Sequence, residues 1–171
     1  DQRAKYQVEF VKNSFSEITK STISVLEIGA GSANSSLLLR DVWKEKSLEL
    51  YACEPGKQWA DHYQYHFINR IADFFPFSSQ KTFDYIHTSH WLEHVRDLNS
   101  TIKDLYEKLN IGGYLFIEVP NCDSSYWELP LSDTPHIHFF TLKSLKTAFE
   151  KHKFSCINIE ECGITNAEWS K

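Results

Sequence analysis

A glycine turn at the end of a short apolar segment constrains this chain more than any other feature. Residues 25–28 are apolar except for Glu27, and Gly29-Ala30-Gly31 follows at once. A second strand-like segment, residues 48–53, ends in another acid, Glu54. In an open α/β sheet, a glycine turn after the first strand lets the backbone approach a ligand, and an acid after the next strand can hold ribose hydroxyls. The two features predict a site for a nucleoside-containing cofactor.

The residues around the turn indicate which cofactor fits. A dinucleotide site is expected to carry a third glycine, but Asn34 stands at that position. Glu27 brings a carboxylate toward the turn, which repels a pyrophosphate and attracts a cation. S-adenosylmethionine carries a sulfonium and an ammonium but no phosphate, so these residues favour it over NAD. A simpler alternative is a tight strand-to-helix turn in which Ser32 caps the helix and no cofactor binds.

Charge and composition narrow the class of protein. The 171 residues carry a formal net charge of −5 without a basic run, which disfavours nucleic-acid partners. No apolar segment approaches the ~20 residues of a membrane span, and no signal peptide is apparent in residues 1–20. Four cysteines without Cys-x-x-Cys spacing favour reduced thiols and a cytoplasmic location. Because the chain lacks Met and begins at Asp1, we expect a longer polypeptide around it.

Strand and helix signals alternate along the chain. Helices are predicted over residues 5–19, 35–44, from Pro55-Gly56 to 65, from 98 until Gly112-Gly113, and after a capping Thr141. Strands are predicted over residues 23–28, 48–53, 67–71, 83–88, 114–119 and 154–159. This alternation predicts one domain over residues 1–171, an α/β fold with a doubly wound, mostly parallel sheet and helices on both faces. Ligands bind such sheets at the carboxyl ends of the strands, and the loop over residues 121–140 follows the fifth of them.

Five short segments, in this order and spacing, resemble the class I S-adenosylmethionine-dependent methyltransferases. The resemblance is closest to small-molecule enzymes such as the ubiquinone-pathway O-methyltransferases. The segments are VLEIGAG at 25–31, ACEP at 52–55, FDYI at 83–86, LEHV at 92–95, and LNIGGYLFI with VPN at 109–121. The resemblance implies a Rossmann-like fold, S-adenosylmethionine as cofactor, S-adenosylhomocysteine as product and a small-molecule acceptor such as a sugar or a quinone precursor. In the methyltransferases that this chain resembles, a loop such as that over residues 121–140 is the acceptor side.

The resemblance also implies cofactor-binding residues. They are Glu27, Gly29 and Gly31 at the methionine moiety, Glu54 at the ribose, Asp73 and Phe74 at the adenine, and Thr88 and His90 in a segment that closes over the cofactor. Three departures stand out. Ala33 occupies a position where the family often has glycine, and Asp73 lies past the predicted end of the third strand. The final antiparallel strand pair is incomplete, which implies truncation at the C-terminal edge or a partner, such as a second copy, that supplies the edge.

Histidines are dense where the acceptor would approach. Methyl transfer to a hydroxyl or a protonated amine benefits from a general base, and histidine suits this role at neutral pH. We predict that His136 or His138 is the base or an acceptor contact, the alternative being loop histidines bonded to backbone. Two other functions stay open, a non-catalytic S-adenosylmethionine-binding domain of a larger protein and an NAD-dependent oxidoreductase.

One motif competes with this interpretation. Residues 90–94, His-Trp-Leu-Glu-His, fit the inverted zinc-protease pattern, in which two histidines bind zinc and the glutamate acts as base. Such a site needs a stable helix and a third protein ligand. The segment instead spans the turn after the fourth predicted strand, so we expect neither hydrolysis nor a metal. Only the His136-Ile137-His138 segment would complete a metal site.

Overall fold

Five parallel strands form one sheet. The computed structural model describes residues 2–14, 18–128 and 135–162. The strands are β1 (Thr22–Ile28), β2 (Ser47–Cys53), β3 (Ile68–Ala72), β4 (Phe83–Ser89) and β5 (Leu109–Glu118). They lie in the order β3-β2-β1-β4-β5, and all four pairings between these described strands are parallel. The predicted doubly wound parallel sheet is confirmed.

Helices cover both faces of the sheet. They are α1 (Gln2–Ser14), α2 (Asn34–Val42), α3 (Ala60–Tyr65), α4 (Leu98–Lys108) and α5 (Leu142–Glu150), with 3-10 segments at Lys57–Trp59, Leu92–His94 and Ser124–Glu128. Successive side chains of a strand point to opposite faces. Accordingly, Val25 of β1 belongs to a buried cluster with α1, α2 and α3, whereas Leu26 belongs to a second cluster with α4 and α5. The layers match the prediction.

The strand order reverses beside β1. From β1 the chain builds β2 and β3 on one side, then returns to build β4 and β5 on the other. Six of the seven residues of β1 are buried, as expected for a parallel strand covered on both faces. In open α/β sheets, a ligand crevice lies outside the carboxyl ends of the strands at such a reversal. The ends of β1 and β4 therefore mark the candidate site.

Two predicted helix ends were wrong. Helix α1 ends at Ser14, whereas the pattern predicted a helix over 5–19, of which 15–17 lie outside the described residues. Helix α4 ends at Lys108, and Gly112-Gly113 lies inside β5 instead of stopping the helix.

The glycine pair forms an irregularity in the sheet. Leu109 pairs with Phe83 and Tyr114 with Tyr85, so β5 has more residues than β4 between these two pairs, as in a β-bulge. Gly112 has φ +76°, and a Cβ on Gly113 would lie 2.9 Å from the Asn110 carbonyl oxygen. The backbone geometry at these two positions therefore requires glycine. In the sequence alone, a Gly-Gly pair that permits a sheet irregularity looks the same as one that ends a helix.

The predicted last strand, residues 154–159, was also wrong. The described residues 154–162 contain no strand. Phe154 packs against Phe149 of α5, and the segment then lies along α1, where Asn158 Nδ2 donates to Ser14 Oγ at 3.1 Å. Of the apolar residues that suggested a strand, Phe154 packs against α5, whereas Ile157 is 59% exposed.

The described helices are short. The longest, α1, has 13 residues, and none of them combines the length and apolar content that a bilayer-spanning helix needs.

A buried carboxylate fastens the amino ends of the central strands. Asp84 of β4 accepts hydrogen bonds from the Ser24 backbone N–H and hydroxyl, both at 3.0 Å, and from Asn110 Nδ2 at 2.7 Å. Lys20 Nζ adds an ion pair. Burial raises the pKa of Asp84, but the hydrogen bonds from Lys20, Ser24 and Asn110 outweigh it and lower the pKa to about 2.

We expect Asp84→Ala to lower the free energy of unfolding by about 3 kcal/mol, because it leaves buried donors unpaired. Urea unfolding at pH 7 measures this, with the exposed Asp41→Ala as control, expected to change by at most about 0.5 kcal/mol. Because the folded pKa is depressed, the contribution is present above pH 4 and is lost as the pH falls toward about 2. Equal unfolding energies for wild type and Asp84→Ala would contradict this role.

Candidate cofactor and acceptor site

The turn after β1 runs through left-handed backbone. Gly29 has φ +69°, Gly31 has φ +49°, and Ala33 has φ +54°. The Gly29 N–H donates to the Cys53 carbonyl at 2.9 Å, which ties the turn to the end of β2. This conformation costs an L-residue such as Ala33 about 1–2 kcal/mol, so glycine would suit the position better. Helix α2 follows directly without a side-chain cap, so the proposed Ser32 cap is not formed.

Glu27 lies beneath this turn. Its Oε2 accepts hydrogen bonds from the Ser36 backbone N–H, at 3.0 Å, and from the Ser36 hydroxyl. The side chain is buried, and burial raises its pKa to about 7, although the two Ser36 bonds oppose the shift. Near neutral pH, a cation bound at the glycine turn would therefore stabilise the charged form of Glu27.

Glu54 joins the ends of β1 and β2. Its Oε2 accepts from the Gly31 N–H at 2.9 Å, and its Oε1 accepts from the Gly56 N–H at 2.7 Å. Helix α3 supports the same turn, because the Tyr63 hydroxyl donates to the Gly31 carbonyl at 2.5 Å. The carboxylate is oriented by backbone on both sides.

Asp73 and Phe74 lie at the next strand end. Asp73 follows β3 directly, closer to the strand than the sequence suggested, and its Oδ1 lies 2.8 Å from Arg70 Nη2. Arg70 Nε also donates to the Glu54 carbonyl at 2.8 Å, so one guanidinium connects the two acidic positions. Phe74 is 70% exposed. The structure therefore places these residues on the same sheet edge as the glycine turn.

The end of β4 completes this edge. Thr88 is buried, and its hydroxyl has no hydrogen-bond partner among the described residues. His90 has φ +49°, and its N–H donates to the Glu118 carbonyl at 2.9 Å. The neighbouring His87 stacks on Phe116, and burial lowers its pKa to about 3, which keeps it neutral.

Glu93 is surrounded by histidines. Its Oε1 lies 3.2 Å from His90 Nδ1, 3.7 Å from His94 Nε2 and 3.9 Å from His136 Nε2. Burial raises the pKa of Glu93, while the charges of His94 and His136 oppose the shift. In the sequence, His90, Glu93 and His94 fit a zinc-protease motif, which sequence reasoning disfavoured. The structure has a 3-10 turn at Leu92–His94 where that motif needs a helix, yet it brings His136 to the same carboxylate.

The two predicted catalytic histidines differ. His138 Nε2 donates to the Val95 carbonyl at 2.8 Å, which matches the alternative of a backbone-bonded loop histidine. His136 faces Glu93, and its Nδ1 lies 3.5 Å from the Tyr126 hydroxyl. Tyr126, Trp127 and Phe139 form an aromatic wall, with neighbouring ring centroids 5.1–6.2 Å apart.

Sequence reasoning missed a polar network at the ends of β4 and β5. Glu118 Oε2 accepts from the Ser89 hydroxyl at 2.7 Å, from Arg3 Nε at 3.1 Å and from Gln7 Nε2. Gln7 Oε1 in turn accepts from the Ser35 hydroxyl at 2.6 Å. Helix α1 is thus fixed to the site edge. The sequence did contain a signal for Glu118, an acid near the end of an apolar strand, which is the same signal that identified Glu54.

Comparison with known proteins gives a consistent result. Residues 2–159 match the family described as "Methyltransferase domain". Comparison with curated protein sequences found no significant match.

Three solved structures illustrate the fold likeness. One is a possible histamine N-methyltransferase from Thermotoga maritima, 18% identical, with a TM-score of 0.66 over 90% of this chain and 71% of that one. Another is a methyltransferase of Haloferax volcanii in complex with the activator Trm112, 15% identical, with a TM-score of 0.63 over 89% and 72%. A third is phosphoethanolamine N-methyltransferase 2 of Haemonchus contortus with S-adenosyl-L-methionine, 14% identical, with a TM-score of 0.64 over 86% and 36%.

Glu27 generates a pH-dependent stability. Because its folded pKa is raised, its contribution is fully present below about pH 4.5 and is lost as the pH rises through about 7. We expect the free energy of unfolding of wild type to fall by up to about 3 kcal/mol more than that of Glu27→Gln over this range. Urea unfolding of both proteins at pH 4.5, 6 and 7.5 measures the difference. Parallel pH profiles would contradict it.

Proposed function

This chain belongs to the class I S-adenosylmethionine-dependent methyltransferases, and we propose that it methylates a small-molecule acceptor. One observation carries the proposal: two acids and a left-handed glycine turn meet where the strand order reverses, beside a histidine-rich loop. The acids suit a cationic cofactor with a ribose, and the loop suits an acceptor.

In this proposal Glu54 binds the ribose hydroxyls. Its two oxygens already accept backbone N–H bonds from Gly31 and Gly56, and each oxygen keeps a lone pair for a hydroxyl. The exposed ring of Phe74 supplies a face for adenine, and Asp73 an acceptor for its amino group.

The methionine end of the cofactor would lie over the glycine turn. Gly29 and Gly31 carry no Cβ, and Glu27 below them attracts the ammonium group. Thr88 and His90, at the end of the adjacent strand β4, flank this position. The unpartnered Thr88 hydroxyl would gain a partner there.

Methyl transfer is an in-line displacement in which the acceptor atom bonds to the methyl carbon while the carbon–sulfur bond breaks. The sulfonium already carries the activation, so the protein supplies position and electrostatics. The aromatic wall offers an apolar surface for a small acceptor, and His136 is better placed than His138 to receive its proton. Four free cysteines in the described residues support a reducing location, and we propose the cytoplasm.

Two alternative functions can be distinguished from methyl transfer by experiment. A non-catalytic binding domain would bind the cofactor without turnover on any acceptor. An NAD-dependent oxidoreductase is disfavoured by Asn34, which begins helix α2 where a dinucleotide fold has glycine, and by the buried Glu27.

We expect the chain to bind S-adenosylmethionine and S-adenosylhomocysteine with micromolar dissociation constants in calorimetric titration, and NAD far more weakly. The acids below the turn attract the cationic donor and repel a pyrophosphate. Tighter binding of NAD would overturn the proposed cofactor site. Binding of both adenosyl ligands would justify a screen of hydroxyl, amine and thiol acceptors.

We expect Glu54→Ala to weaken cofactor binding by about 1.5–3 kcal/mol, because it removes charge-assisted hydrogen bonds to the ribose. The same titration measures this, with thermal unfolding as a check that the variant is folded. Glu49→Ala is the matched control, since Glu49 is an exposed acid of β2, the strand that Glu54 follows, and pairs with Lys81. Unchanged affinity in folded Glu54→Ala would show that the ribose lies elsewhere.

A further inference from the structure

The Glu93 carboxylate lacks the partners that a buried carboxylate normally has. The residue is 1% exposed, and neither oxygen accepts a hydrogen bond from the described residues. Buried carboxylates are otherwise hydrogen-bonded, paired or bound to a metal. Three imidazole nitrogens lie 3.2–3.9 Å from its Oε1.

Two of the histidine rings are oriented as metal ligands are. His94 Nδ1 lies 3.3 Å from the Pro135 carbonyl, and His136 Nδ1 lies 3.5 Å from the Tyr126 hydroxyl. With a proton on each Nδ1, both Nε2 lone pairs face Glu93. Metal-binding histidines typically donate the other ring N–H to a carbonyl or another oxygen, which fixes this tautomer.

We propose that Glu93, His94 and His136 form a binding site for a divalent transition-metal ion, with Zn²⁺ as the best match. One ligand atom from each residue lies within 4.8 Å of the other two. Around a tetrahedral zinc with bonds of about 2.1 Å, ligand atoms are about 3.4 Å apart, so a modest contraction closes the site. Two imidazoles disfavour Mg²⁺ and Ca²⁺, which prefer oxygen ligands. This departs from the metal-free site expected from sequence.

The loop fold holds these ligands together through backbone. The Ile137 and His138 N–H groups donate to the Glu93 carbonyl at 2.8 and 3.1 Å. His136 is therefore fixed next to the 3-10 turn that carries Glu93 and His94. His90 Nδ1 lies 3.2 Å from Glu93 Oε1, but His90 is not one of the three residues whose ligand atoms lie close to one another.

The position of the ion suggests a role that rests on the proposed function. Trp91 lies 3.6 Å from the place of a Cβ on Gly29, so the cluster adjoins the glycine turn. A three-ligand zinc keeps an open position for an acceptor hydroxyl. An ion held by Glu93, His94 and His136 would supply Lewis-acid chemistry: it would lower the pKa of a bound acceptor hydroxyl, whose proton would pass to water before the oxygen accepts the methyl group. His136 would then act as a ligand and not as the base.

The test is a titration of chelator-treated protein with Zn²⁺, followed by calorimetry, and with Co²⁺, followed by visible absorption. Wild type is expected to bind one equivalent. His94→Gln and His136→Gln are expected to weaken Zn²⁺ binding on the order of tenfold or more, because each removes one ligand. The matched control is His152→Gln, whose ring lies 3.1 Å from Asn99 on the far helix α4 and should leave binding unchanged.

Two results would overturn the site: no stoichiometric binding by wild type, or equal Zn²⁺ affinity in wild type and the folded His94 and His136 variants. Either would leave Glu93 as a buried carboxylate that is surrounded by histidines and binds no metal. Titration with S-adenosylmethionine in the presence of the chelator separates this proposal from the proposed function. Failure to bind S-adenosylmethionine both with and without the chelator would count against the cofactor site, whereas the Zn²⁺ titration needs no cofactor or acceptor.

Discussion

The left-handed turn after β1 is the constraint from which the site follows. A strand buried on both faces must leave the sheet through a tight turn, and here three positive-φ residues accomplish it within residues 29–33. The turn exposes backbone N–H groups, and Glu54 accepts one of them. Because Glu54 also binds the backbone after β2, the same carboxylate joins two strand ends and keeps an acid beside the turn. The hydrogen bonds that hold the glycine turn in shape are therefore the same ones that hold the Glu54 carboxylate beside it.

The buried acids at the two ends of the sheet differ according to their hydrogen-bond partners. Asp84, at the opposite end of β4, has a full set of donors and a depressed pKa. Glu27 has only Ser36, so burial prevails and its pKa rises to about 7. Glu93 has no hydrogen-bond donor among the described residues. Asp84 at the amino ends of the strands is thus a satisfied carboxylate with a structural role, whereas Glu27 and Glu93 at the carboxyl ends keep unused capacity for a ligand.

Much of the fold was predictable because its signals are local. The apolar strands, the acids that end them and the Thr141 cap, which forms with Ser144, follow from neighbouring residues. The errors arose where tertiary contacts decide. Gly112-Gly113 allows a sheet irregularity and not a helix end, and Phe154 packs on α5 while residues 154–159 form no strand. His136 and Glu93 are 43 positions apart in the chain, so their contact depends on the tertiary fold. In the same way, Glu118 accepts hydrogen bonds from α1, which lies far from it in the sequence.

The hydrogen bonds from residues 137 and 138 to the Glu93 carbonyl have a consequence for how such an enzyme can diversify. These bonds use only main-chain atoms, so they tolerate substitution of the side chains on either side. The acceptor-side loop is therefore anchored independently of its own composition. If the aromatic wall binds the acceptor, as proposed, changes in it would alter which molecule fits while the anchor and the turn after β4 stay in place. Evolution of a new acceptor preference needs no redesign of the cofactor edge.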